Sequence, residues 1–232
     1  MGETLKAVDG VADGLALEAD AFGGQGATVC LWSARRRALV CPANLRRKPG
    51  FDAARQQAAA RGWPVYLRPT GGGAVPQGPG VLNLALAFNA GRTFTIEDGY
   101  RLLTQIIRDA IPADWTTGAT PNSFCDGAWN LALSGRKVVG TAQRLRPIGG
   151  GRRRVLAHAM IMTDGDVATG AAAVGAFHHD LGLGPIEAGV HTTLSEMLPA
   201  LAEQMSGVAA SLEDAALREI MRATADEASA PS

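Results

Sequence analysis

The 232-residue chain alternates short apolar runs with segments whose apolar positions recur every three to four residues. Apolar runs of strand length occupy residues 27–32, 38–41, 64–68, 81–88 and 154–162. Two more runs flank the dipeptide Ser134-Gly135, at residues 129–133 and 137–146, and this spacing predicts a β-hairpin. Helical spacing occupies residues 14–21, 51–61, 95–111, 167–181, 194–205 and 212–225.

The two patterns follow one another without a linker, an internal repeat or a break in composition. Such a mixture predicts a single α+β domain with a mixed β-sheet flanked by helices. We expect residues 1–188 to form its main part and residues 189–232 a small helical appendage.

One segment, residues 69–80, fits neither pattern, because five glycines and three prolines fall within its 12 positions. This density predicts an irregular, shaped loop. Glycines would let backbone N–H groups approach an anionic ligand that a Cβ atom would keep away. The alternative interpretation is a long, strained connection without a ligand.

The charge balance argues against a dedicated nucleic-acid-binding protein. Lys plus Arg and Asp plus Glu each total 22, so the chain has no net charge to favour a dedicated nucleic-acid binder. Nine basic residues nevertheless fall between residues 35 and 68, against one acid, Asp52. No apolar run reaches the roughly 18 residues of a membrane span, so no membrane association is expected.

The three cysteines, Cys30, Cys41 and Cys125, are too few and too scattered for a disulfide framework. They predict a reducing, cytoplasmic location. No spacing of ligand residues predicts a metal site. The common phosphate and hydrolase motifs are also absent from the sequence.

A second candidate site lies at residues 135–144, which read GRKVVGTAQR. Strand alternation predicts that Lys137 shares a face with Val139 and Thr141. A lysine held there could stabilise a developing oxyanion or a phosphate oxygen. The alternative is a surface lysine on an edge hairpin.

Together the two segments resemble the lipoate–protein ligase and octanoyltransferase superfamily. Residues 68–75, RPTGGGAV, are similar to its Arg-x-Ser/Thr-Gly-Gly-Gly-Ala-Val loop, and residues 135–144 to its Gly-Arg/Lys-Lys-Ile/Val-x-Gly-Ser/Thr-Ala-Gln-Arg strand. Residues 15–19, LALEA, and 156–159, LAHA, resemble the opening helix and the Leu-x-His-Gly strand of the same superfamily.

The resemblance implies a mixed sheet with flanking helices, residues 1–188 being the catalytic part. It also implies transfer of a lipoyl or octanoyl group to one lysine of a lipoyl-domain carrier protein. Ligases first make an acyl-adenylate from lipoate or octanoate with ATP and Mg²⁺, and this is the route we expect first. Octanoyltransferases instead take the group from acyl carrier protein through a cysteine thioester. Neither route needs a permanently bound cofactor.

By the same resemblance, Lys137 would contact the activated acyl carbonyl or its phosphate. The residues implied in binding the acyl chain or the adenylate are Arg68, Thr70, Gly71, Gly72, Gly73, Ala74, Gln77, Gly80, Gly140, Thr141, Ala142 and His158. A dry, apolar slot with charge stabilisation at its head would suit this chemistry.

The sequence also departs from the ligases. Pro76-Gln77 stands where they usually carry an aromatic residue followed by His-Asp, whereas residues 77–80, QGPG, look more like the His-Gly-Pro-Gly of octanoyltransferases. Cys125 lies in roughly the stretch where one octanoyltransferase class has its cysteine, so its thiolate could accept an octanoyl group. The alternative for Cys125 is a small buried residue beside Phe124.

A third hypothesis is a non-catalytic relative that binds lipoyl-AMP or a carrier domain. Only about 50 residues follow Leu181, so the accessory domain of many bacterial ligases is expected, if anywhere, on a separate subunit. The sequence offers no visible partner for His191.

Overall fold

The computed structural model describes residues 5–202 and 204–228. Its strands are β1 Leu5–Val8, β2 Thr28–Ala34, β3 Ala38–Pro42, β4 Val65–Arg68, β5 Val75–Gln77, β6 Val81–Ala90, β7 Thr116–Thr117, β8 Leu131–Leu133, β9 Arg136–Gly149 and β10 Arg152–Met162. Its helices are α1 Val11–Gly23, α2 Phe51–Ala60, α3 Ile96–Ala110, α4 Val167–Asp180, α5 Leu194–Met197, α6 Pro199–Ala202 and α7 Met205–Ala228.

The strands form two sheets. The large sheet has the order β1-β2-β6-β10-β9-β8-β7 and the small sheet the order β4-β3-β5. Each contains one parallel pair, β1 with β2 and β3 with β4, beside antiparallel neighbours. The predicted α+β fold with a mixed sheet and flanking helices is confirmed.

Two apolar cores cover the two faces of the large sheet. The first packs β6, β10 and β9 against α3 and α7. The second lies between the large and small sheets, where α2 and α4 complete it with Phe51 and Phe177. Side chains alternate along β6 and β10 between the first core and the opposite face of the sheet. On that opposite face, Asn83 meets Gln77 of the small sheet, whereas Ala85, Ala87 and Leu156 form a third, smaller cluster with Ala21 and Phe22 of α1.

The segment from residue 189 onwards supplies α7, whose apolar face, including Leu212 and Ile220, belongs to the first core. The single helix predicted for residues 194–205 is wrong, because α5 ends at Met197 and α6 begins at Pro199. Proline lacks the N–H that would continue the helix, and it keeps Leu198 out of helical geometry at φ −137° and ψ 63°.

The loop at residues 69–80 contains one regular element that the prediction excluded. The strand β5 pairs antiparallel with β3, with Val75 opposite Val40. Pro76 is tolerated because β5 is an edge strand, where a missing N–H leaves no partner unsatisfied. The glycines on either side of β5 remain irregular.

Candidate functional site

A narrow slot, here called the intersheet slot, lies between the two sheets. Its floor is a row of four paired residues that crosses the large sheet from β2 to β9: Trp32, Asn83, Met160 and Gly140. Val40, Val75 and Gln77 of the small sheet form its roof. The lining is mostly apolar, and the cavity between the sheets is narrow, with a volume of about 40 Å³.

Arg68 shapes the glycine loop at one end of the slot. Its guanidinium is buried and donates from Nη1 to the Val40 carbonyl at 3.0 Å. Its Nη2 donates to the carbonyls of Gly71 at 2.9 Å and Gly73 at 2.8 Å. One side chain thus fixes both ends of the glycine triplet.

Cys125 packs directly on this loop. Its Sγ accepts a hydrogen bond from the Gly73 N–H at 3.1 Å and lies 3.7 Å from Nη2 of Arg68. An N–H donor and a guanidinium both stabilise negative charge on sulfur. The thiol is half-buried at the edge of the second apolar core, and it also has these polar partners.

Two glycines of the triplet lie against Cys125, and a side chain at Gly72 would clash with it. A Cβ at Gly72, where φ is +97°, would lie 2.6 Å from the sulfur of Cys125. One at Gly73 would lie 3.2 Å from the Cys125 Cα, whereas one at Gly71 would meet nothing within 4 Å. The glycines at 72 and 73 make room for the cysteine, and Gly71 does not.

The backbone of Cys125 is itself strained, with φ at +49°, in the left-handed region that favours glycine. Its carbonyl accepts hydrogen bonds from Lys137 Nζ at 2.9 Å and from Asn130 Nδ2 at 3.1 Å. Strain of this kind persists only where surrounding contacts over-determine it, and it concentrates at functional sites.

The same cysteine lines a second, more open cavity, here called the surface pocket. This pocket has a volume of about 390 Å³, and its other walls include Leu45, Gly72, Gly73, Asp126, His178 and Ile186. Cys125 therefore stands between the intersheet slot and the solvent-facing pocket.

Lys137 is fully buried, so the predicted alternative of a surface lysine is wrong. Its Nζ donates to the carbonyls of Phe124 at 2.6 Å and Cys125 at 2.9 Å. Burial lowers the pKa of its ammonium from 10.5 to about 8, and the nearby Cys125 and Asp126 oppose that shift. The lysine ammonium therefore holds the backbone of Cys125 and does not donate to its thiol.

The predicted alternation along β9 is also wrong. Ala132 pairs with Lys137 but its neighbour Leu131 pairs with Val139, so β9 carries a bulge between them. The bulge brings Gly140 rather than Val139 beside the lysine, and a Cβ on Gly140 would lie 3.5 Å from Nζ.

His191 holds Phe124, the residue before Cys125, although no sequence pattern indicates this role. Its ring stacks on Phe124 with 4.0 Å between centroids, and its Nε2 accepts the Phe124 N–H at 3.1 Å. Nδ1 lies 3.3 Å from the Ala188 carbonyl. Burial, assisted by the charge of Lys137, lowers the pKa of His191 to about 4, so the ring is neutral at pH 7.

His158 belongs to a chain of polar contacts along one side of the slot. Its Nδ1 donates to Glu18 Oε2 at 2.8 Å, and its Nε2 lies 2.9 Å from the Thr70 hydroxyl. The other oxygen of Glu18 accepts from the indole N–H of Trp32 at 3.0 Å. His158 and Thr70 were predicted at the site, whereas Glu18 and Trp32 were not.

Gln77 faces the slot together with Asn83, which sequence reasoning also missed. Gln77 Nε2 donates to Asn83 Oδ1 at 2.8 Å, and Asn83 Nδ2 donates to Gln77 Oε1 at 2.9 Å. Both side chains are buried. Each amide therefore satisfies the other.

The remaining predicted site residues divide into two groups. Thr141 and Ala142 line the slot beside Gly140. Ala74 instead lies in the second apolar core, and Gly80 lies outside the slot, where a Cβ would meet the Asp164 carbonyl oxygen at 2.0 Å. Gly80 is thus required by the packing of a neighbouring loop.

The other two cysteines are buried in strands and differ from Cys125. Burial raises the pKa of both thiols, that of Cys41 to about 11. Across residues 5–202 and 204–228, no cluster of three or more His, Cys, Asp and Glu side chains is placed to hold a metal ion. Within the same residues, no helix combines the length and apolar character that crossing a membrane requires.

Residues 24–206 match the family model of the lipoyl protein ligase A/B catalytic domain. Among curated proteins, the chain is 38% identical over 148 residues to an uncharacterised protein of Cupriavidus necator, covering 57% of this chain and 58% of that one. It is 35% identical over 147 residues to the octanoyl-[GcvH]:protein N-octanoyltransferase of Kyrpidia tusciae, covering 60% of this chain and 51% of the relative. The chain thus spans little more than half the length of these relatives.

Solved structures give the same fold. A bi-partite lipoate protein ligase of Thermoplasma acidophilum superposes with a TM-score of 0.60 at 13% identity, covering 94% of this chain and 81% of that one. A lipoate-protein ligase A bound with ATP gives a TM-score of 0.58 at 16% identity, with coverages of 89% and 94%. At these identities the likeness concerns the fold alone.

Proposed function

Because the chain belongs to the family of lipoyl protein ligase A/B catalytic domains, we propose that it transfers an octanoyl or lipoyl group to a lysine of a lipoyl-domain or GcvH-like carrier. The observation that carries this proposal is the position of Cys125 between the intersheet slot and the surface pocket. An acyl chain in the slot would present its carbonyl to the thiol, and a carrier lysine would approach from the pocket.

The reaction has two acyl transfers. The Cys125 thiolate attacks the carbonyl of a thioester donor such as octanoyl-acyl carrier protein, a new C–S bond forms, and the donor thiol leaves. The carrier amine then attacks the Cys125 thioester, a C–N bond forms, and the cysteine sulfur is released. Acyl carrier protein and the lipoyl-domain carrier would therefore bind in turn.

The contacts around Cys125 suit both steps. The Gly73 N–H and Arg68 both contact the sulfur, and the same donors would stabilise an oxyanion that forms close to it. Lys137 acts as a positioning residue, because it holds the strained Cys125 peptide in place. Its positive charge lies beside Gly140 at the head of the slot.

The thioester route fits this slot better than the adenylate route. Glu18 is the carboxylate that lines the slot, and both of its oxygens already accept hydrogen bonds, from Trp32 and His158. The amide oxygens of Gln77 and Asn83 are engaged with each other. The slot-lining side chains do not fit Mg²⁺, which prefers carboxylate, carbonyl and water oxygens.

A self-sufficient ligase is the second candidate. It is favoured by the similarity in fold to a lipoate-protein ligase A bound with ATP. On this route ATP and Mg²⁺ would be required and Cys125 would not react. A separate accessory subunit belongs to this second candidate.

A basic surface lies beside the entrance to the pocket. Arg46, Arg47 and Lys48 are exposed directly after Leu45, which lines the surface pocket. We expect this surface to attract an acidic carrier domain and to raise the rate of encounter more than the affinity. With three free thiols in the chain, the proposed setting is the reducing cytoplasm.

The test is the intact mass of a purified apo lipoyl domain after incubation with this protein. One reaction contains octanoyl-acyl carrier protein alone, and the other contains lipoate, ATP and Mg²⁺. We expect an octanoyl mass gain without ATP, lost in Cys125→Ser and kept in the matched variant Cys30→Ser. A lipoyl gain only with ATP would favour the ligase, and no gain in either reaction would favour a non-catalytic binding protein.

A further inference from the structure

Two buried polar atoms at the surface pocket have no hydrogen-bond partner in the part of the chain that the structure describes. They are the hydroxyl oxygen of Ser123 and Nε2 of the half-buried His178. Both residues line the pocket together with Cys125, and Ser123 is only 4% exposed. A buried polar atom without a partner reduces stability, so such atoms are rare in folded proteins. Their place beside Cys125 suggests that a partner arrives during the reaction.

The hydrogen bonding of His178 makes its free nitrogen an acceptor. Nδ1 lies 3.1 Å from the Gly184 carbonyl oxygen, which can only accept, so Nδ1 carries the proton of the neutral ring. Burial lowers the pKa of His178 from its ordinary value, and the ring is therefore neutral at pH 7. The lone pair then lies on Nε2, which is free to take up a proton.

The other walls of the surface pocket suit the side chain of a lysine. Leu45, Leu183 and Ile186 provide apolar surface for its methylene groups. The exposed carboxylate of Asp126 adds negative charge to the same pocket, which favours a cationic ligand. A volume of about 390 Å³ is ample for one side chain. Residues 183–186 form part of a loop, so this wall can adjust as the side chain enters.

We propose that Ser123 and His178 hold the ε-amine of the carrier lysine and that His178 accepts its proton during transfer from Cys125. The proposal rests on the acyl-transfer function above, and it names the groups that act on the acceptor. The lysine enters as an ammonium and releases a first proton to solvent. As its nitrogen attacks the thioester carbonyl, the C–N bond forms and Nε2 of His178 takes up the second proton. The C–S bond then breaks, and the imidazolium gives this proton to the departing cysteine sulfur.

The first experiment separates the two half-reactions. Octanoyl-acyl carrier protein loads Cys125, the intact mass of the protein reports the loading, and the loaded protein is then mixed with apo lipoyl domain or with hydroxylamine. Hydroxylamine is uncharged at neutral pH, so its attack needs neither an ammonium site nor a base. In His178→Gln we expect transfer to the lipoyl domain to slow about 100-fold, while loading and release by hydroxylamine stay within about threefold of the unaltered rates.

His179→Gln is the matched control, because His179 is the next residue and 92% of its side chain is exposed. It should leave all three rates unchanged. Ser123→Ala removes a hydroxyl that has no partner in the described residues, so it should slow transfer to the lipoyl domain about tenfold without lowering stability. Unchanged transfer in either pocket variant would overturn the role of that residue. An equal loss with hydroxylamine and with the lipoyl domain would overturn the role of His178 as proton acceptor.

A binding measurement provides a readout without catalysis. In Cys125→Ser protein with isotope-labelled histidine, the Nε2 resonance of His178 is assigned by its loss in Cys125→Ser/His178→Gln. We expect apo lipoyl domain to shift this resonance, and the same domain with its target lysine replaced by methionine to leave it in place. If no preparation transfers acyl groups but the lysine-dependent shift is present, the proposed function fails and the lysine site stands. Transfer without that shift would overturn the lysine site and leave the function, and the absence of both would overturn both.

Discussion

The two ends of the intersheet slot are built from opposite kinds of polar group. At the head, two buried cations, Arg68 and Lys137, are matched by carbonyl oxygens and a thiol, and Cys125 has a strained backbone. At the far end, Gln77 and Asn83 are neutral and satisfy each other.

The two ends differ in how much their polar groups reduce the stability of the fold. A buried charge held mainly by carbonyl oxygens and a left-handed non-glycine residue both reduce stability, and such features persist where they serve a function. A closed amide pair carries no comparable cost, because its donors and acceptors are filled. Chemistry is therefore expected at the head rather than at the far end.

The strongest test of this comparison is Lys137→Met. Loss of the ammonium that holds the Phe124 and Cys125 carbonyls should reduce acyl transfer about 100-fold, in the range seen when one preorganised electrostatic contact is removed. The free energy of unfolding should change little, because removal of a buried charge offsets the loss of the hydrogen bond to the Phe124 carbonyl. Steady-state kinetics and urea unfolding measure the two effects.

Lys6→Met is the matched control, because Lys6 is exposed on the edge strand β1. It should leave both the rate and the stability unchanged. A Lys137→Met protein that is active but unstable would mean that the lysine is structural, and the comparison between the two ends would fail.

The pH dependence of stability gives a second test of the buried ammonium. The pKa of Lys137 is lowered from 10.5 to about 8 in the folded state, so between these values the unfolded chain binds the extra proton. The free energy of unfolding of the unaltered protein should therefore rise from pH 8 to pH 10.5, relative to Lys137→Met, by about 2–3 kcal/mol. Urea titrations at several pH values measure it, and parallel curves for the two proteins would show that the lysine is not desolvated.

The glycine triplet tests the contact at the head in a third way. Gly72→Ala places a Cβ 2.6 Å from the Cys125 sulfur at a φ of +97°, so it should cost about 2 kcal/mol of stability and most of the transfer activity. Gly71→Ala is the matched control, because nothing lies within 4 Å of its Cβ and its φ is not positive. Equal effects of the two variants would show that the loop does not depend on the approach of Cys125.

The sequence predicted the head of the slot better than its far end. Arg68, the glycines and Lys137 lie in two short motifs, so a local pattern was enough to bring them together. His191 was not predicted, because its partner Phe124 is 67 residues away and no local signal links them. Only the folded chain places the His191 ring against Phe124, next to Cys125.

Register caused the errors along β9. A strict two-residue alternation placed Val139 on the face of Lys137, but the bulge opposite Ala132 shifts the later residues by one position. Asn83 was not predicted, because in the sequence it is one polar residue within an apolar strand. Its role is visible only in the folded chain, where it pairs with Gln77 of the small sheet.

The smallest effect is expected at the far end of the slot, and it sharpens the comparison with Lys137. Replacing both amides by Gln77→Met/Asn83→Leu removes a donor and an acceptor on each side together, so stability should change by less than about 1 kcal/mol. Gln77→Met alone leaves Asn83 short of a partner and should cost about 1–3 kcal/mol. A double-mutant cycle from urea unfolding measures this coupling. Octanoyl transfer by the double variant should stay within about threefold of the unaltered rate, because the two amides hydrogen-bond to each other and not to Cys125 or Lys137. A fall of about 100-fold, as expected for Lys137→Met, would mean that the two ends of the slot are not separate in function.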